Sequence, residues 1–177
     1  IPVYAHIMRK LFSSPIPFVG VVERSSSSMV IEGYINRLVE NNIIPASSGR
    51  KLKEKIRKYE YSDEYLFGCI LEEGEFLEPI PIKKSQANRA HDDWVCVVEK
   101  IPSPWITMLK CTADNFPFRI ELNCFPTPEK LREIMMLIYH TSLLLPYYAF
   151  PVGIDIVDKY AKIPDWLSKG ISAKLSS

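Results

Sequence analysis

From Phe118 to Asn123 the chain alternates apolar and polar residues without a break. Successive side chains of an extended chain point to opposite faces. The run therefore predicts a strand with Phe118, Ile120 and Leu122 inward and Arg119, Glu121 and Asn123 outward. Two further apolar runs precede it, at about 94–99 and 105–111, and short Pro-containing links join the three. That spacing predicts an antiparallel meander. A helix follows directly. Thr127 supplies its cap, Pro128 a pre-set first turn, and the apolar pattern continues to about Leu145.

Upstream, residues 3–12 predict a short helix stopped by Ser13-Ser14-Pro15, and Phe18 to Val22 a buried strand. Ser25 to Ser28 then offer an N-cap for a helix running to about Asn41, with Val30, Ile31, Tyr34, Ile35, Leu38 and Val39 on one face. Residues 50–60 predict a highly charged helix. Ser62 caps another, from Asp63 to Glu73, closed by Gly74. Residues 75–93 carry Pro79 and Pro81 and are expected to be irregular. A last helix is expected near 153–162, with a short one at 164–170. A length of 177 residues and 47% hydrophobic content suffice for one domain with a real core spanning 1–177. The fold class expected is α/β, one sheet with covering helices. The sheet is thin, and strands upstream of Ile1 would explain that thinness.

Composition excludes several function classes. The net charge is +1, so a nucleic-acid binder would have to concentrate its cations on one face. Cys69, Cys96, Cys111 and Cys124 include no C-x-x-C pair, which argues against a zinc ribbon. Their apolar neighbours predict buried, reduced thiols in a cytoplasmic protein. No apolar run is long enough to span a membrane, and no secretory signal is present.

Four segments, in order, carry a family resemblance. Val21-Val22-Glu23-Arg24-Ser25-Ser26-Ser27 resembles a strand ending in a basic pair and serines. Ser62-Asp63-Glu64-Tyr65-Leu66-Phe67, with Leu71 to Glu75, resembles an "SD-x-x-LF…L-x-x-GE" stretch. Phe118 to Glu121 resembles an "RIE" strand. Phe150-Pro151 through Asp158 to Ile163 is similar in spacing to a closing helix. Over residues 15–163 the chain thus resembles the carboxy-terminal part of NurA-type DNA-end-processing nucleases. The resemblance implies a ribonuclease-H-like mixed sheet flanked by helices and incomplete at its N-terminus. It also implies a metal-dependent nuclease site using Mn2+ or Mg2+, a homodimer, and a HerA-type hexameric ATPase as partner in DNA-end resection.

Phosphodiester hydrolysis by two metals needs clustered carboxylates to hold the cations, and oxygen donors suit manganese or magnesium. The resemblance places Asp158 as a metal-binding catalytic residue, with Glu23 and Tyr148 beside it. Three positions depart from the family: Glu23 replaces a basic residue, Phe150 a tyrosine (Tyr147 and Tyr148 are close by), and Asp158 a histidine. An aspartate still binds a metal through oxygen, whereas Glu23 removes a positive charge from the developing phosphate. A catalytically degenerate relative that only binds DNA or partners is the alternative these departures leave open. Plain structural roles also stand: Glu23 solvated or paired with Arg24, and Asp158 a helix surface residue with Asp155 one turn earlier. His91, Asp92 and Asp93 mimic a metal cluster but fall in a polar loop. For DNA contacts the candidates are Arg24, Lys51, Lys55 and Lys58. The three lysines share one helix face, interrupted by Glu54 and Glu60. Lys83, Lys84 and Arg89 offer a second basic stretch, with Trp94 or Trp105 as stacking partners or core residues.

Overall fold

The computed structural model describes residues 6–7, 10–11, 13–14, 16–22, 25–81, 104–145, 150–154 and 156. Their element order is β1 (Val19–Val22), α1 (Met29–Glu40), α2 (Ala46–Lys58), α3 (Asp63–Gly68), β2 (Ile80–Pro81), β3 (Trp105–Leu109), β4 (Phe118–Leu122) and α4 (Pro128–Leu143). The strands form one sheet in the order β1-β4-β3-β2. Every pairing among them is antiparallel, whereas a mixed sheet was expected. The expected strand at 94–99 and the short helix at 164–170 lie outside the described residues, and of the helix expected near 153–162 only residues 153, 154 and 156 are described, all of them helical.

Register assigns each face a role. Ile120 of β4 sits opposite Val21 of β1 and Thr107 of β3, so these side chains share a face with Phe118, Leu122 and Leu109. Helix α4 covers that face with Leu131, Met135 and Ile138. Those residues recur every three or four positions, the spacing of one helix stripe. The opposite face presents Ile106 and Met108. They pack with Val30 of α1, with Phe67 and Leu71 around α3, and with Ile80. The result is an α/β domain of three layers, one helix on one face and a helix pair on the other. Arg119 and Glu121 point to the helix-pair face, where they are half-buried rather than solvated.

Local chemistry explains most boundaries. Thr127 Oγ1 accepts the Lys130 amide at 3.3 Å, and Pro128 opens α4 as expected. Helix α1 ends on Asn42 at φ 56°. The Ile43 amide reaches Leu38 O and the Asn42 amide reaches Val39 O, a Schellman closure. Helix α2 starts at Ala46, four residues ahead of expectation, and closes in the same way on Glu60 at φ 53°. Helix α3 stops at Gly68, well before the expected Glu73. The chain then turns at Gly74 (φ 79°), whose amide bonds to Lys110 O. Residues 75–77, expected to be irregular, therefore run along β3 as an extension of β2. Pro79 and Pro81 lack an N–H, so this segment suits a sheet edge.

Other corrections concern burial. Asn123, expected outward, is buried. Cys69, expected buried, is exposed, whereas Cys111 is buried and Cys124 lies between; all three are free thiols. Burial pushes the Cys111 thiol up to about 11. His140 lies exposed on α4 beside Tyr139.

Helix α2 packs on α1 through Ile56 and Gly49, its two buried residues. A β-carbon on Gly49 would fall 2.6 Å from Val39 Cγ2 and 3.4 Å from Ile35 Cγ2, both stiff branched side chains. Gly49→Ala gains about 1 kcal/mol of helix propensity, but overpacking costs about 1–3 kcal/mol. The expected net result is a loss of stability of about 1 kcal/mol, read from urea unfolding midpoints. A stabilised variant would show that the two helices separate freely.

Candidate functional site

Three of the four family-like segments meet at the N-terminus of α1. Ser28 is placed as its N-cap, yet the hydroxyl makes no capping bond and donates instead to Glu32 Oε1. From the expected serine run, Ser27 Oγ accepts the Met29 amide at 3.0 Å, and the next two amides are capped by Asp63, thirty-three positions away from Val30. The Val30 amide donates to Asp63 Oδ2 at 3.0 Å and the Ile31 amide to Oδ1 at 2.8 Å. The Asp63 amide in turn donates to Ser27 O at 2.7 Å. Next to it, Glu64 accepts the Ser25 amide. From the third segment, Arg119 Nη1 donates to Ser25 Oγ at 3.1 Å and Nη2 pairs with Glu121 at 3.0 Å. Arg119 Nε is buried with no hydrogen-bond partner among the described residues.

Asp63 is fully buried. Burial pushes its carboxyl above the ordinary aspartate value, and the Ile31 and Val30 amides and the Arg119 charge oppose that rise. A carboxylate at a helix N-terminus satisfies orphan amides and meets the positive end of the helix dipole. The "SD" pair is thus a double cap here, Ser62 on α3 through the Tyr65 amide and Asp63 on α1.

On the outer side, Arg57 of α2 makes a forked pair with Glu32 of α1, at 2.9 and 2.6 Å. That pairing holds the Glu32 carboxyl below its usual range. Lys53 donates to Asn36. Two of the six cations of α2 are thereby committed to α1. Arg50, Lys51 and Lys55 are exposed and have no hydrogen bond or ion pair among the described residues, while Lys58 lies over the Tyr59 ring. The predicted lysine face therefore presents its charge to solvent.

A groove of about 820 Å3 runs between α1 and the β2 edge, with Trp105 and Phe125 at one end. The two rings are 4.7 Å apart, so Trp105 packs against Phe125. The groove's charged lining is Glu32, Glu40 and Glu78 against Arg37, the wrong sign for phosphates. Arg37 pairs with Glu78, whose carbonyl accepts the Tyr34 hydroxyl; burial and Glu78 push that hydroxyl up to about 12.

Asp158, Glu23, Tyr148 and Arg24 lie outside the described residues, as do Asp155 and the His91-Asp92-Asp93 cluster. Among the described residues no three His, Cys, Asp or Glu side chains come together to hold a metal. The carboxylates at the meeting point are already engaged: Asp63 by two amides, Glu64 by Ser25, Glu121 by Arg119 and Glu32 by Arg57. These described residues do not fit a manganese or magnesium site. Asp63 and Arg119 are the residues that sequence reasoning underrated. The signals available were an aspartate directly after a helix cap and a lone arginine inside an apolar alternation. No helix among the described residues is long and apolar enough to cross a membrane. No protein-family model, curated protein or solved structure matches the chain.

Proposed function

We propose that the chain is a DNA-binding domain of NurA type, acting as a homodimer in DNA-end processing beside a HerA-type hexameric ATPase. One observation carries this proposal: segments at 25–27, 62–64 and 119–121, each similar to the family by itself, bond to one another around the start of α1. Chance matches scattered along a chain have no reason to converge. The three-layered sheet is then a ribonuclease-H-like platform, with α2 on its outer side. Lys51, Lys55 and Lys58 supply charge for phosphates. Met136 and Leu137 on α4 and Leu144 at its C-cap are exposed apolar residues available to the second subunit.

Metal-dependent cutting is a second reading, favoured by the oxygen donor that Asp158 puts in place of the family's histidine. The test is a binding and cleavage assay on labelled single- and double-stranded DNA, with manganese, magnesium or chelator. Cutting that needs metal and disappears in Asp158→Ala, with binding kept, makes the chain a nuclease. Binding without cutting makes it the non-catalytic relative. A chain that binds neither DNA form at low salt removes the proposal.

A further inference from the structure

Three tyrosines stand exposed where α2 passes into α3. Tyr59 is 57% exposed, Tyr61 40% and Tyr65 51%. Large aromatic rings bury well and are seldom left in water together without a partner. Here they form a ladder. Tyr59 and Tyr61 have ring centroids 5.8 Å apart, and Tyr61 and Tyr65 are stacked 5.7 Å apart with an interplanar angle of 10°. The backbone sets this spacing. Glu60 takes a left-handed conformation at the end of α2, and the Tyr61 amide bonds back to Ile56 O. A left-handed residue other than glycine costs about 1 kcal/mol, and it brings the tyrosines on either side of it onto one surface.

The ladder continues the cationic face of α2. Lys51, Lys55 and Tyr59 are spaced i, i+4, i+8 and lie in one line on the helix. Lys58 Nζ sits 5.4 Å from the Tyr59 ring centroid. From Lys51 to Tyr59 the helix rises about 12 Å, and the rings extend the line. The surface thus offers a row of cations followed by a row of aromatic faces.

We infer that this surface is a binding site for single-stranded nucleic acid, with unpaired bases on the tyrosines and the adjoining phosphates on Lys51, Lys55 and Arg50. Paired bases hide their faces inside the duplex, so exposed rings favour a single strand. A base needs van der Waals clearance of roughly 3.5 Å on each side, about 7 Å in all. The 5.7 Å between Tyr61 and Tyr65 is too narrow for that, so bases stack on the outer faces of the ladder rather than between its rings.

The inference rests on the nucleic-acid part of the proposed function but not on cutting. The test is fluorescence anisotropy of labelled dT12, U12 and a 12-base-pair duplex with the whole chain, in chelator. Wild type is expected to bind dT12 more tightly than the duplex, and U12 separates an RNA preference from a DNA one. Tyr59→Ala/Tyr61→Ala/Tyr65→Ala is expected to weaken dT12 binding tenfold or more, while the Tyr→Phe triple, which keeps the rings, stays within threefold of wild type. Lys51→Glu/Lys55→Glu is expected to lower the slope of log affinity against log salt by about 1.4. Circular dichroism on each variant confirms folding. Tyr→Ala variants that bind like wild type overturn the site and leave DNA binding elsewhere on the chain intact. Wild type that binds no nucleic acid overturns both. Polyglutamate displacing dT12 at equal charge concentration assigns the surface to an acidic protein segment and overturns it too.

Discussion

Asp63→Ala is expected to lower the stability of the chain by about 2–5 kcal/mol. Two effects add. The start of α1 loses its cap, worth about 1–2 kcal/mol. The Val30 amide, which donated to a carboxylate in a fully buried position, is left without a partner. An orphaned buried donor costs about 1–3 kcal/mol. Asp63→Asn keeps one acceptor oxygen and should lose less, about 1–2 kcal/mol, because its NH2 faces an amide that also donates. The pH dependence separates this role from a catalytic one. The folded carboxyl is raised above its ordinary value of 3.8 by burial, so the folded state holds the proton to a higher pH than the unfolded chain does. This group's contribution is therefore fully present below the unfolded value and is lost as pH rises through the folded one. Urea midpoints measured upward from pH 4 should show that decline in wild type and a flatter profile in Asp63→Asn. Identical profiles would mean that Asp63 is not the group titrating there.

Asn123→Ala is expected to cost about 2–3 kcal/mol, a fall in melting temperature of about 5–10 °C for a chain of this size. The Asn123 amide ties the approach to β1 onto the end of β4. Its Oδ1 accepts the Phe18 amide at 2.7 Å, and its Nδ2 donates to Leu11 O at 3.0 Å and Ile16 O at 3.3 Å. Alanine leaves those part-buried groups without their protein partner. Asn123→Asp is the sharper comparison, because it keeps the acceptor for Phe18 and turns the other oxygen toward backbone carbonyls. A carboxylate there has lost its donors and faces lone pairs, so the aspartate variant should be at least as unstable as alanine near neutral pH. Differential scanning calorimetry on both variants decides the matter. An aspartate variant as stable as wild type would show that only the Phe18 bond counts.

These two residues mark the boundary of what the chain discloses before it folds. The helix from Met29 and the one from Pro128 were legible because their signals are local: an apolar stripe at helical spacing, a threonine followed by proline, an asparagine able to turn left-handed. The β4 strand was legible from its alternation, and the lysine face of α2 from its spacing. Each of those signals compares residues a few positions apart, within one element. The serine run was legible as a cap, and Ser27 takes the first amide of α1, but the residue that caps the next two lies thirty-three positions away, and Asn123 finds its partner across a separation of 105. The sheet edge at β2 was hidden by two prolines that look like loop residues until a strand stands beside them. The tyrosines at 59, 61 and 65 straddle the end of α2 and the start of α3, so no single period links all three. They share one surface past the left-handed residue Glu60, whose conformation the local pattern does not announce. Periodicity and capping fix the elements because they are interactions of near neighbours. Which polar groups are shared between elements, and which aromatic rings remain in water, is settled only when the layers close, since burial and hydrogen-bond partners then come from the whole chain at once.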